Sequence, residues 1–262
     1  MNYDVSIFCS GNRPELWDRL YKSCQSNRLS WELIICGNQR PTFDAPSNFR
    51  FIYSSTKPSQ CAEIALGACS GEFVSMVQDD YILSNGFFDI LLNDYIDRKN
   101  EKNIFCGKMK RKGSLFNDIY ASEIPDSPLL GYIGLMKHSF ITHIGGVERE
   151  FIGTYWDMDI LMRVLEDDGN IVMNNKVFVD EWHPGKRRKK SSLTRRLSCD
   201  VKFYRSLWVV SPEKVKSHKG EIYCKDATWG ALSKKRLIPF TPFKEEKILT
   251  YNQGKTNKDF RN

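Results

Sequence analysis

The order of apolar and polar positions along the chain reads as strands alternating with helices. In YDVSIFC, residues 3–9, Val5, Ile7 and Cys9 fall on alternate positions as in a strand; Asn12-Arg13-Pro14 then breaks the pattern, with Pro14 suited to a first helical turn. Over residues 15–25, Leu16, Trp17, Leu20, Tyr21 and Cys24 share one helical face, and WELIIC at 31–36 is the short continuous apolar run of a buried parallel strand. A strand is expected at 49–53, a helix over 59–69 and, past Gly71, another strand at 72–77. An amphipathic helix follows at 87–96 and a strand at 103–107, before a polar, proline-containing stretch at 111–128 that predicts an irregular insertion. Beyond it the pattern predicts a strand at 131–137, a short helix closed by glycines at 138–146 and a helix over 156–169. Two short strands around an Asn174-Asn175 turn are expected within 171–182, then a helix over 200–209.

Repeated β-α-β order predicts an α/β fold: an open, mostly parallel sheet flanked by helices, with ligands at the carboxyl ends of the strands. On this reading residues 1–185 form one unit, with a nucleotide-binding half over about 1–107 and a second half over about 108–185. Residues 197–262 form a short helical or irregular C-terminal appendage.

Composition changes this picture little. With 262 residues, 41% hydrophobic and 27% charged, the chain is long enough for one full core and unlike a disordered or fibrous protein. It holds no run near the roughly 18 apolar residues of a spanning helix, and its start lacks a secretory pattern, so a cytoplasmic location is expected. Eight cysteines without a CxxC pair, several inside apolar runs, argue against a disulfide framework or zinc site.

Charge is more informative. Of the net +7, much comes from Lys186 to Arg196 (KRRKKSSLTRR), where seven of eleven residues are basic. Such a run is read either as a solvated mobile loop or as a contact for a phosphate-bearing substrate or an anionic membrane surface, the latter leaving peripheral membrane association open. It lacks interleaved aromatics and a reading motif, so no nucleic-acid partner is expected.

The chemistry concentrates at strand ends. Asp79 and Asp80 follow the apolar strand at 72–77, where a hard cation such as Mg²⁺ or Mn²⁺ could be held by carboxylates and substrate phosphates; an Asp pair there is equally a turn or cap. Asp157 and Asp159 open the helix at 156, where Asp157 could cap and Asp159 could pair with Arg163 four residues on. Trp17, Trp31 and Trp208 read as core aromatics, whereas Trp156 and Trp182 are better placed to stack on a ligand ring; His138 and His143 read as packing or surface residues.

Across about residues 3–185 the chain resembles glycosyltransferase family 2 and related GT-A (Rossmann-like) enzymes. Three segments carry the resemblance: VSIFCSGNRPELWDRLYKSC, CAEIALGACSGEFVSMVQDDYIL and HIGGVEREFIGTYWDMDILMRVLEDDG. It implies a nucleoside-diphosphate sugar donor, a glycan or other hydroxyl acceptor, and Mn²⁺ or Mg²⁺. Ser10, Gly11, Asn12, Arg13, Asn38, Gln78 and Asp79 are then implied at the donor, Asp80 and His183 at the metal, and Gly145, Gly146 and Trp156 at the acceptor. Asp157 becomes the base of an inverting transfer, with Asp159 beside it. The chain departs from the family pattern at Gln78, where an Asp usually contacts ribose, at Cys36-Gly37-Asn38, which lacks the usual base-contacting Asp, and at Trp156, where Glu is common. A non-catalytic nucleotide-sugar binding module is the alternative; a nucleotidyltransferase is a further one, although only Gly11 stands where such enzymes carry a glycine-rich loop.

Overall fold

A computed structural model describes residues 3–98, 100–111, 114–115, 134–181, 197–210 and 234–236. Its first elements are β1 (Val5–Ser10), α1 (Pro14–Cys24), β2 (Trp31–Gly37), β3 (Phe49–Tyr53), α2 (Pro58–Gly67) and β4 (Phe73–Met76). These follow the sequence pattern closely, because each buries what the pattern marked. The five apolar residues of the α1 stripe are all buried, and Trp17 packs its ring 5.5 Å from Phe51 and 6.4 Å from Phe49. Every residue of β2 is buried, as expected of a strand covered on both faces.

After β4 come β5 (Tyr81–Leu83), α3 (Phe87–Arg98), β6 (Asn103–Arg111), β7 (Ser114–Leu115), β8 (Met136–Lys137), α4 (His138–His143) and α5 (Trp156–Glu166). The chain continues through β9 (Asn170–Glu181), α6 (Leu197–Leu207), β10 (Trp208–Val210) and β11 (Lys234–Arg236). The main sheet has the order β3-β2-β1-β4-β8, parallel apart from β8, which runs antiparallel to β4. A second sheet, β5-β9-β6-β7, pairs β9 parallel with β6 and antiparallel with β5. The α/β fold class with a mostly parallel sheet between helices is therefore present.

Two local expectations are corrected. Asn174-Asn175 does not reverse the chain: β9 is one strand, with a bulge where Gly107 pairs with Asn174 and Lys108 with Phe178. The Asn174 amide donates to Asp94, and its Oδ1 accepts the Lys176 N–H at 2.7 Å, so the side chain serves a local backbone deviation rather than a hairpin. The helix expected over 200–209 starts at Leu197 and stops at Leu207, because Trp208 enters β10, paired with β11. Most of the stretch 111–128, all of the basic run 186–196, and Trp182 and His183 lie outside the described residues. No helix among the described residues is long and apolar enough to cross a membrane.

Candidate functional site

A cavity of about 810 Å³ opens at the carboxyl ends of β1, β2 and β3, a size in the range of small-molecule sites. Ser10, Gly11, Cys36 and Gly37 line it from the strand ends. Gly11 donates its N–H to Cys36 O at 2.9 Å, and a Cβ on Gly37 would lie 1.8 Å from Gly11 O. A Cβ on Gly11 would lie 2.7 Å from Ile35 and 2.9 Å from the Trp17 ring. Two loops thus touch backbone to backbone here, an approach only glycine allows.

Asp79 ties the first of these loops down. Its Oδ2 accepts the N–H groups of Asn12 and Arg13, both at 2.9 Å, and its Oδ1 accepts Arg13 Nε at 2.8 Å and Nη2. Arg13 reaches on to Asp80 Oδ2 through Nη1 at 2.9 Å. Burial alone would lower the guanidinium, but bonds and charge from Asp79 and Asp80 outweigh it and hold Arg13 above its ordinary value. Asn12, Arg13, Asn38, Gln78 and Asp79, all expected at the donor, do line the cavity.

Metal binding is a separate matter. A hard cation needs several oxygens facing one point, yet Asp79 has two donors on each oxygen, and Asp80, 1% exposed, holds Arg13 and is absent from the cavity wall. Among the described residues no group of three or more His, Cys, Asp or Glu could hold a metal ion. Asp79 and Asp80 thus both face Arg13, and His183, the other residue expected at the metal, lies outside the described residues.

The far wall is the segment Ile152 to Met158. Tyr155 precedes α5 with φ 67°, a left-handed conformation costly for a non-glycine residue, and so sets the direction in which Trp156 and Asp157 enter the cavity wall. Burial pushes the Asp157 carboxyl up, partly offset by the Met158 N–H, which donates to its Oδ1 at 2.9 Å. A carboxylate of raised affinity for protons is suited to general-base work.

Asp159 takes the other role weighed for it. Fully buried and outside the cavity wall, it accepts Arg163 Nε at 2.9 Å and Trp208 Nε1 at 2.8 Å. Arg163 in turn donates to Ile144 O, and to Gly146 O at 2.6 Å. Gly145 and Gly146 adopt φ 98° and 68° and form this anchored turn behind the cavity rather than its lining. Trp156 lines the cavity, whereas Trp17, Trp31 and Trp208 are core residues. His138 bonds Gly71 O and His143 bonds Asp167, both outside the cavity.

Sequence reasoning missed Ser54 to Pro58, which line the cavity between β3 and α2. The signal existed, because this loop follows the carboxyl end of a third parallel strand. Nor did sequence reasoning place Cys36 and Cys61 at the cavity, which they line; the hydrogen bond between them lowers the Cys61 thiol and raises that of Cys36. Ile152 to Thr154 lie within the third segment of the resemblance but were not singled out as site residues.

The fold is of the GT-A-like type found in glycosyltransferases. It is similar to the crystal structure of Staphylococcus aureus TarS, at TM-score 0.52 and 14% identity over 68% of this chain and 36% of that one. TarS residues 1–349 in complex with UDP match at TM-score 0.52 and 13% identity, over 68% of this chain and 60% of that one. The same fragment with UDP-GlcNAc matches at TM-score 0.54 and 14% identity, over 77% and 66%. The chain thus spans less than two thirds of the length of each, and at such identity the likeness establishes the fold alone. No family model matches the chain, and no curated protein does.

Proposed function

We propose that the chain transfers a sugar from a nucleoside-diphosphate sugar to a hydroxyl of a glycan or other acceptor, with inversion. The observation that carries this is one cavity at the carboxyl ends of three parallel strands, with the raised carboxyl of Asp157 in the wall formed by residues 152–158. TarS structures holding UDP and UDP-GlcNAc share the fold, which supports a nucleotide-sugar donor. Asn38 and Gln78 are suited to hydrogen-bond base and ribose, and Lys57 to face the diphosphate. Trp156 offers an aromatic face for a sugar ring.

In the reaction, the acceptor oxygen attacks the anomeric carbon while Asp157 takes the hydroxyl proton. The bond from that carbon to the diphosphate breaks, and the nucleoside diphosphate leaves with the electron pair. No step is assigned to a metal.

The test is a panel of nucleotide sugars, following thermal stabilisation and donor hydrolysis by the wild type and by Asp157→Asn. One donor should raise the melting temperature of both proteins, while the variant loses about a hundredfold or more in turnover. A donor that stabilises but is never turned over by the wild type would leave a binding module; stabilisation by none would remove the donor reading.

A further inference from the structure

The C-terminal helix lies outside the three segments that carry the family resemblance, yet one of its faces is written onto the segment that precedes and opens α5. Asp200, 1% exposed, accepts three successive backbone N–H groups: Ile152 at 2.8 Å on Oδ1, then Gly153 at 2.9 Å and Thr154 at 3.0 Å on Oδ2. The Thr154 hydroxyl adds a fourth bond at 3.2 Å. Phe203 meets Phe151 edge to face at 4.9 Å between centroids, and Tyr204 packs on Tyr155 at 5.3 Å. One residue past the helix, Trp208 donates to Asp159. Positions 200, 203 and 204 share one helical face and contact 152–154, 151 and 155, while Trp208, at the start of β10, contacts 159.

We infer that Asp200 is a positioning residue for the reaction: it fixes the backbone of residues 152–154, and through it the left-handed turn at Tyr155 that aims Asp157 into the cavity. The inference rests on the reading of Asp157 as the base. Three N–H groups converging on one carboxylate are charge-assisted bonds that a neutral side chain cannot reproduce, and 152–157 all line the cavity. A bare loop ahead of α5 would expose these N–H groups to water and let the first turn of α5 fray. Burial raises the Asp157 carboxyl, and burial together with Asp159, Asp157 and Tyr155 raises the Tyr204 hydroxyl packed on this segment. Residues 197–208 are therefore part of the site rather than an appendage to it.

The experiment compares full-length wild type, Asp200→Asn and the milder Thr154→Val by three readouts. These are amide hydrogen exchange, carboxyl titration of Asp157 by NMR, and steady-state hydrolysis of UDP-GlcNAc. Asp200→Asn should speed exchange at residues 152–154 at least tenfold with β1 and β2 unchanged, and return the Asp157 titration towards the ordinary carboxylate range. It should lower kcat tenfold or more with KM within twofold, and Thr154→Val should move each readout in the same direction by less. An Asp157 titration and kcat unmoved in both variants would overturn the inference. So would exchange that rises equally through β1 and β2, which would make Asp200 a folding residue only. If the wild type turns over no donor, the transferase reading falls, while exchange and titration still decide whether Asp200 positions Asp157.

Discussion

The two walls of the cavity are built differently. The strand-end wall is sheet: the parallel register of β1, β2 and β3 sets Ser10 beside Cys36, Ser54 just past β3 donates its N–H to Gly37 O, and the glycines at 11 and 37 let the strand ends close on each other. The wall at 152–158 is loop and helix start, held by buried polar side chains from far along the chain. Asp200 grips 152–154, and the trio Asp159, Arg163 and Trp208 fixes α5. A wall made of main-chain pairing tolerates many side chains, so long as they are apolar and of the right size. A wall made of buried charges fails at single positions.

The largest effect should come from breaking the second wall. In Asp159→Ala, Arg163, 3% exposed, loses its carboxylate, and the Trp208 indole loses its acceptor. Removing one partner of a buried pair costs about 3–5 kcal/mol, so urea unfolding should show a loss of that order. Replacing both charges, Asp159→Leu with Arg163→Met, should recover much of it. A single variant within about 1 kcal/mol of wild type would show that the pair carries little of the wall.

This contrast also explains what the sequence made legible. Strands and helices of residues 3–98 are specified locally: the stripe Leu16, Trp17, Leu20, Tyr21, Cys24 and the run WELIIC need no distant partner to be read. Asp79 was visible as a strand-end carboxylate, although its actual partners, the Asn12 and Arg13 N–H groups, lie more than sixty residues away. Asp159 with Arg163 was readable as a helical pair at four-residue spacing. Asp200 was not, because its ligands are backbone groups 46 to 48 residues upstream and no side-chain pattern announces them. The Asn174-Asn175 pair misled because a turn signal was spent on a bulge.

On the strand-end wall the corresponding break is Gly37→Ala. The added carbon would meet a backbone oxygen at 1.8 Å, which cannot rotate away as a side chain can, so the end of β2 or the loop after β1 must move. Overpacking of this kind costs about 1–3 kcal/mol. Because Gly11 and Gly37 both line the cavity, any stabilisation by a nucleotide sugar should shrink with the loss of stability. Unchanged donor stabilisation together with an unchanged midpoint would mean that the two loops are not packed in this way in solution.

The last effect has the opposite sign and tests the joint between the walls. Glu63, on α2, is 2% exposed beneath the turn that carries Arg149, and neither carboxyl oxygen has a hydrogen-bond partner; Arg149 Nε stands 3.4 Å away. Burial pushes its carboxyl up to about 8, against lowering by Arg149 and Arg163 and further raising by Glu148. The folded protein therefore keeps a proton that the unfolded chain loses above about 4.5. Between these values the native state binds more protons, so stability falls as pH rises through the window and levels off above it. Glu63→Gln is neutral at every pH and should lose that slope, matching wild type near pH 5 and exceeding it by up to about 4 kcal/mol near pH 8.5. Parallel melting curves for the two proteins across that range would show that Glu63 is ionised in the native state and that Arg149 neutralises it.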